Sequence, residues 1–127
     1  MKKAQKLLEI EALTENLMKK ECENGLLKIK VLSFISLYEN LSVGMIIEKL
    51  GIKKSNFALI CAELEKEGLA VSKQAEIDRR CRTMTLTEKG NSELEAYFSR
   101  VDSHIGETDM EVDKAIDTLI KFLNKRI

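Results

Sequence analysis

The stretch Ser42–Ser72, SVGMIIEKLGIKKSNFALICAELEKEGLAVS, decides the architecture. Ser42 is a residue type that caps helix N-termini. Ile46, Ile47 and Leu50 follow it at helical spacing, which predicts a short helix through Leu50, stopped by Gly51. A tight turn, Gly51-Ile52-Lys53, leads to Phe57, Ile60, Cys61 and Leu64 at i, i+3, i+4 and i+7. That is the inward stripe of a second helix, predicted from Lys54 to Glu67 and ended by Gly68. Two helices joined by a tight glycine-containing turn make a helix-turn-helix. Leu69-Ala70-Val71 then reads as a strand.

Downstream, a polar loop over Lys73–Arg80 precedes Thr83-Met84-Thr85-Leu86, whose alternation predicts a second strand. A two-stranded ribbon directly after a helix-turn-helix is a wing. Thr87 is placed to cap a fifth helix with Leu94, Tyr97, Phe98, Val101 and Ile105 on its stripe, broken by Gly106. Thr108 or Asp109 then caps a last helix carrying Val112, Ala115, Ile116, Leu119, Ile120 and Leu123. Its acids come first and its bases last, the order the helix dipole favours. Upstream, Leu7, Ile10, Leu13 and Leu17 predict a helix over residues 3–23, ended by Asn24-Gly25. Leu27, Val31, Phe34, Ile35 and Tyr38 predict another over Leu26–Tyr38, closed by Asn40.

The fold class is therefore mainly α with a small β-wing: a winged helix-turn-helix flanked by N- and C-terminal dimerisation helices. The expected layout is a single domain over 1–127, with the lobe at 26–90 and dimerisation helices at 1–25 and 91–127. The terminal helices carry more apolar surface than such a lobe can cover; either they pack on a core of their own or, the favoured reading, a second copy of the chain covers them.

Composition narrows the function. The chain has 127 residues, 44% apolar and 33% charged, enough for a real core. Its longest apolar run, Phe57–Ala62, is six residues, against the roughly 20 a membrane helix needs. The acids Glu9 and Glu11 interrupt any secretory stretch after Lys2-Lys3. The expectation is a soluble, cytoplasmic protein without membrane partners. Cys22, Cys61 and Cys81 are widely spaced and form no CxxC pair, which fits reduced thiols. With His104 as the single histidine, no zinc-site spacing arises. No nucleophile–base motif or phosphate loop points to an enzyme, and no cofactor is expected. Net charge is zero, yet residues 26–89 carry +3 and residues 91–127 carry −3. The positive excess is densest at Arg79, Arg80 and Arg82, and a local basic patch can dock a phosphate backbone whatever the total charge.

From Leu26 to Gly90 the sequence resembles the MarR family of bacterial winged-helix transcription regulators, its small SarA-type members in particular. Ser42–Leu50 is similar to that family's first helix-turn-helix helix. Lys53-Lys54-Ser55-Asn56-Phe57 through Leu64-Glu65-Lys66-Glu67-Gly68-Leu69 is similar to its recognition helix and the Gly-Leu after it. Asp78-Arg79-Arg80, followed by Thr87-Glu88-Lys89-Gly90, is similar to its wing and the start of its dimer helix. The resemblance implies a homodimer that binds double-stranded DNA at a pseudo-palindromic site and regulates transcription. It also implies that Arg80 enters the minor groove, oriented by Asp78. The sequence departs from many relatives at Ala58 and Leu59, where a polar residue or Arg is usual, and Glu63 and Glu65 keep the later turns acidic.

The residue types suit that role. A recognition helix presents its N-terminal residues to the bases, here Lys53, Lys54, Ser55 and Asn56. Lysine serves phosphate or guanine, serine a phosphate, and asparagine can read adenine bidentately. Arg79, Arg80 and Arg82 on a thin ribbon suit the narrow, negative minor groove. Two other readings stay open: a winged-helix protein-interaction module using Ala58 and Leu59, and a thiol-based redox-sensing regulator using Cys81, whose arginine neighbours would favour the thiolate. From the family, an unidentified small-molecule effector could lie between dimer helices and DNA-binding lobes. His104 is expected at the surface or a dimer interface.

Overall fold

The computed structural model describes residues 1–22, 25–39, 41–74 and 82–127. Among these residues, six helices and one two-stranded antiparallel sheet follow in order: α1 Lys3–Lys19, α2 Leu26–Leu37, α3 Val43–Leu50, α4 Lys54–Lys66, β1 Ala70–Gln74, β2 Arg82–Leu86, α5 Glu88–Ile105 and α6 Met110–Asn124. None of the helices among the described residues is long and apolar enough to cross a membrane.

Local sequence sets most boundaries. The Ser42 side chain accepts the Met45 N–H at the start of α3, and Gly51 closes that helix in the left-handed region at φ 67°. Thr87 and Asp109 cap α5 and α6 in the same way, accepting from Gly90 N and Val112 N. Asp109 is thus the cap, while Thr108 donates to the Asp113 carboxylate instead.

Besides one-residue shifts at the ends of α2 and α4 and the starts of β1 and β2, three boundaries differ from the sequence reading. Helix α1 ends at Lys19 rather than at residue 23, with the Met18 carbonyl accepting the Tyr97 hydroxyl at 2.9 Å. Gly25 does not stop α1; it is the N-cap of α2, at φ 102°, where a side chain would be strained. Strand β1 runs on through Lys73 and Gln74, which the sequence assigns to the loop, because they pair with Thr83 and Arg82. Asn40, expected to close α2, lies outside the described residues.

Helix α2 (LLKIKVLSFISL) is apolar around most of its girth, so it sits centrally and packs against α3, α4, α5 and β2. Val31, Leu32 and Ile35 meet Ile46, Phe57, Cys61, Leu64, Leu69, Met84 and Leu94 in one core. In the ribbon, Ala70↔Leu86 and Ser72↔Met84 are cross-strand partners on the core side, and Val71↔Thr85 and Lys73↔Thr83 turn outward.

The terminal helices behave differently. Neither α1 nor α6 has a buried residue. Leu8, Leu13, Val112, Ile116, Ile120 and Phe122 all stand exposed. A strongly amphipathic helix such as α6 with its apolar stripe in water lacks the surface it was patterned for.

Candidate nucleic-acid interface

Helix α4 is held by its buried stripe. Phe57, Cys61 and Leu64 are inside, with Ile60 packed on the same core. Helical geometry then turns the other positions outward. Lys53, Lys54, Ser55 and Asn56 are all exposed at the first turn. Lys53 is the N-cap and its side chain makes no capping bond. The first turn therefore lacks a side-chain cap and carries two exposed lysines, a combination that attracts phosphate. Farther along, Ala58, Leu59, Ala62, Glu63 and Lys66 are exposed as well.

The junction behind α4 is built from hydrogen bonds to backbone. Thr87 Oγ1 donates to the Gly68 carbonyl at 2.6 Å while accepting from Gly90 N. Thr87 N donates to the Leu69 carbonyl at 3.0 Å, and Lys89 Nζ to the Glu67 carbonyl at 2.9 Å. The Glu67 carboxylate takes both its oxygens to Lys28 Nζ of α2 at 2.5 Å. The end of α4, the base of the ribbon and the start of α5 are thereby fixed to one another, which sets the angle between α4 and the wing.

Of the sequence-predicted site residues, the four on α4 share one exposed turn. Arg82 lies in β2 opposite Gln74. Asp78, Arg79, Arg80 and Cys81 lie outside the described residues. Sequence reasoning does not single out Lys73, whose exposure on β1 adds a cation to the ribbon. The signal that could find it is the β-pairing register, which one strand alone does not carry.

The thiols divide by burial. Cys61 is in the core, and burial, with Glu65 nearby, pushes its pKa up to about 11. It stays a protonated, inert side chain at neutral pH. Cys22 is half-buried at the rim of a cleft of about 670 Å³ that opens between the end of α1, α2 and α5. Lys20, Lys28, Glu67, Tyr97 and Arg100 also line it. Burial first, then Cys22, raises the Tyr97 phenol, so it remains a hydrogen-bond donor. On the same side, Glu21 pairs with His104 and with Arg100 of α5. His104 is at the surface, as expected.

No protein-family model matches the sequence, and no curated protein matches it. The fold has many solved counterparts. A mutant of MepR from a multidrug-resistant S. aureus clinical isolate superposes with a TM-score of 0.77 at 16% identity, covering 100% of this chain and 99% of that one. A mutant of MarR from E. coli gives 0.71 at 15% identity over 97% of each chain. FabT from Streptococcus pneumoniae, solved in complex with DNA, gives 0.70 at 16% identity over 98% of this chain and 99% of that one. The chain has the MarR fold. Its α3–α4 pair is the helix-turn-helix of that fold, β1–β2 its wing, and the match spans α1 to α6 and not the central lobe alone.

Proposed function

We propose that this MarR-fold chain is a sequence-specific DNA-binding transcription regulator, not an enzyme, that acts as a homodimer on a pseudo-palindromic site. The observation that carries the reading is the first turn of α4: Lys53, Lys54, Ser55 and Asn56 all exposed, held outward by a buried stripe one residue farther on. Supporting it, the MarR-fold proteins FabT and MepR have both been solved bound to DNA. The bare apolar faces of α1 and α6 support the homodimer.

Two recognition helices would occupy successive major grooves, roughly 34 Å apart. The wings would reach the flanking minor grooves, with Arg80 inserted, Asp78 orienting it, and Arg79 and Arg82 on phosphates. The small effector that the family resemblance implies would have the cleft between α1, α2 and α5 open to it.

Selection of bound fragments from random-sequence or genomic DNA tests the reading. Recovery of an inverted repeat, with affinity falling steeply as salt rises, is the expected result. Failure to retain any sequence at low salt overturns it. The competing reading, a winged helix that docks a protein through the exposed Ala58 and Leu59, predicts no retardation of DNA at any salt concentration.

A further inference from the structure

We infer that Leu59 is a specificity determinant that reads thymine by its 5-methyl group. The inference rests on the DNA-binding reading and adds a base preference to it. On α4, Phe57, Cys61 and Leu64 mark the buried side. At 100° per residue the opposite ridge is Ser55, Leu59, Ala62 and Lys66. Leu59 is the large apolar side chain on that ridge, 67% exposed. Helical side chains lean towards the N-terminus, so Leu59 covers the turn that carries Ser55 and Asn56.

An exposed leucine alone is ordinary; its surroundings decide what it meets. Lys53 and Lys54 precede the ridge at the helix N-terminus, and Lys66 ends it at the other. Lysines at both ends complement the two phosphate walls of a major groove. On the floor of that groove the one apolar group is the thymine methyl. Asn56, three residues before Leu59 and adjacent to it on the helix, has the donor and acceptor that adenine requires. The pair therefore reads A·T content from both sides, Asn56 through adenine and Leu59 through thymine. Glu63 follows one turn later and limits this reading to the first two turns. The apolar strip itself is Ala58, Leu59 and Ala62, bounded by Ser55, Asn56, Glu63 and Lys66. One leucine and two alanines fall well short of the several hundred Å² typical of a protein-docking patch.

The test uses the full chain and a duplex recovered by selection from a random-sequence pool. The same duplex is also made with deoxyuridine for thymidine, which removes the methyls and keeps the pairing. The wild type should bind the deoxyuridine duplex more weakly, by about fourfold for each thymine methyl that Leu59 would otherwise bury and so about sixteenfold for two half-sites. Leu59→Ala should bind both duplexes equally, near the wild-type affinity for the deoxyuridine form, with unchanged helical content. Lys54→Ala should lower both affinities and preserve their ratio. Equal wild-type affinity for the two duplexes overturns the inference and leaves DNA binding standing. A thymine preference retained in Leu59→Ala also overturns it and leaves the ridge to another occupant, such as a protein. If the wild type retains no duplex, DNA binding itself fails, and the inference with it.

Discussion

Gly90 presses its Cα against the Leu69 carbonyl so closely that a Cβ built there would lie 2.0 Å from the oxygen and 2.9 Å from the carbon. Both obstacles are backbone, so neither can swing away. Gly90→Ala must separate α5 from the base of the ribbon, at a cost of about 1–3 kcal/mol or more. Gly44 is the contrast. It lies on the exposed face of α3, and its nearest outside atom is the Ser42 hydroxyl at 3.9 Å. Gly44→Ala should stabilise by about 0.5–1 kcal/mol through helix propensity. Urea unfolding of the two variants should move the midpoint in opposite directions.

Thr87 serves both elements at once, capping α5 at Gly90 N and bonding the Gly68 carbonyl. Thr87→Val keeps the shape and loses both bonds, so a loss of about 1–2 kcal/mol is expected. Thr87→Ser keeps the hydroxyl and should recover most of it. A Val variant as stable as the wild type in chemical denaturation would show that the clasp contributes nothing.

What is legible in the sequence, and what is not, follows the reach of each interaction. The caps at Ser42 and Thr87 are three-residue events, readable from residue type alone, while at α6 residue type narrows the cap to Thr108 or Asp109 and only the structure selects Asp109. The inward stripe of α4 is equally legible, and with it the outward turn Lys53–Asn56. The end of α1 is not, because Tyr97, 79 residues away, bonds the Met18 carbonyl. The extent of β1 depends on a partner strand, and the Lys28–Glu67 pair joins residues 39 apart. Periodicity also cannot say what covers a stripe. Phe98 and Ile105 lie on the same pattern as Leu94 and Val101, yet they stay exposed while the other two are buried.

The Cys61 thiol gives a pH dependence with a definite sign. Its pKa rises from 9.0 to about 11 on folding. Between those values the folded chain holds a proton that the unfolded chain has released, so stability is whole below pH 9 and falls as pH climbs through the window. Cys61→Ala should flatten that alkaline decline, though the smaller side chain lowers stability near neutrality. At neutral pH a thiol reagent should modify Cys22 well before Cys61. Rapid labelling of Cys61 in the native protein would contradict its burial.

Phosphate binding and base recognition separate by their response to salt. Lys54→Ala should weaken binding across all sequences and, with one Lys54 lost from each half of the dimer, reduce the slope of log affinity against log salt by about two. Arg80→Ala should weaken binding at least tenfold, with most of the loss on sites whose flanking minor groove is narrow. Helical content and oligomeric state should not change in either variant. An Arg80→Ala protein that binds as tightly as the wild type removes the wing from the mechanism.

The homodimer is tested on α6. Ile116 and Ile120 lie one turn apart on its apolar stripe, 51% and 52% exposed in the single chain. A carboxylate at position 116 could turn to solvent in the isolated chain, where Ile116 is half exposed. In a dimer it would enter a desolvated interface without a partner, where an unpaired charge costs several kcal/mol. Ile116→Glu should therefore convert the protein to monomer at micromolar concentration in sedimentation, with its core intact, since α6 contributes no buried residue to that core. DNA affinity should fall by orders of magnitude, because one chain then engages one half-site without the other. A dimer that survives Ile116→Glu would place the association surface elsewhere and leave the bare stripe of α6 to another partner.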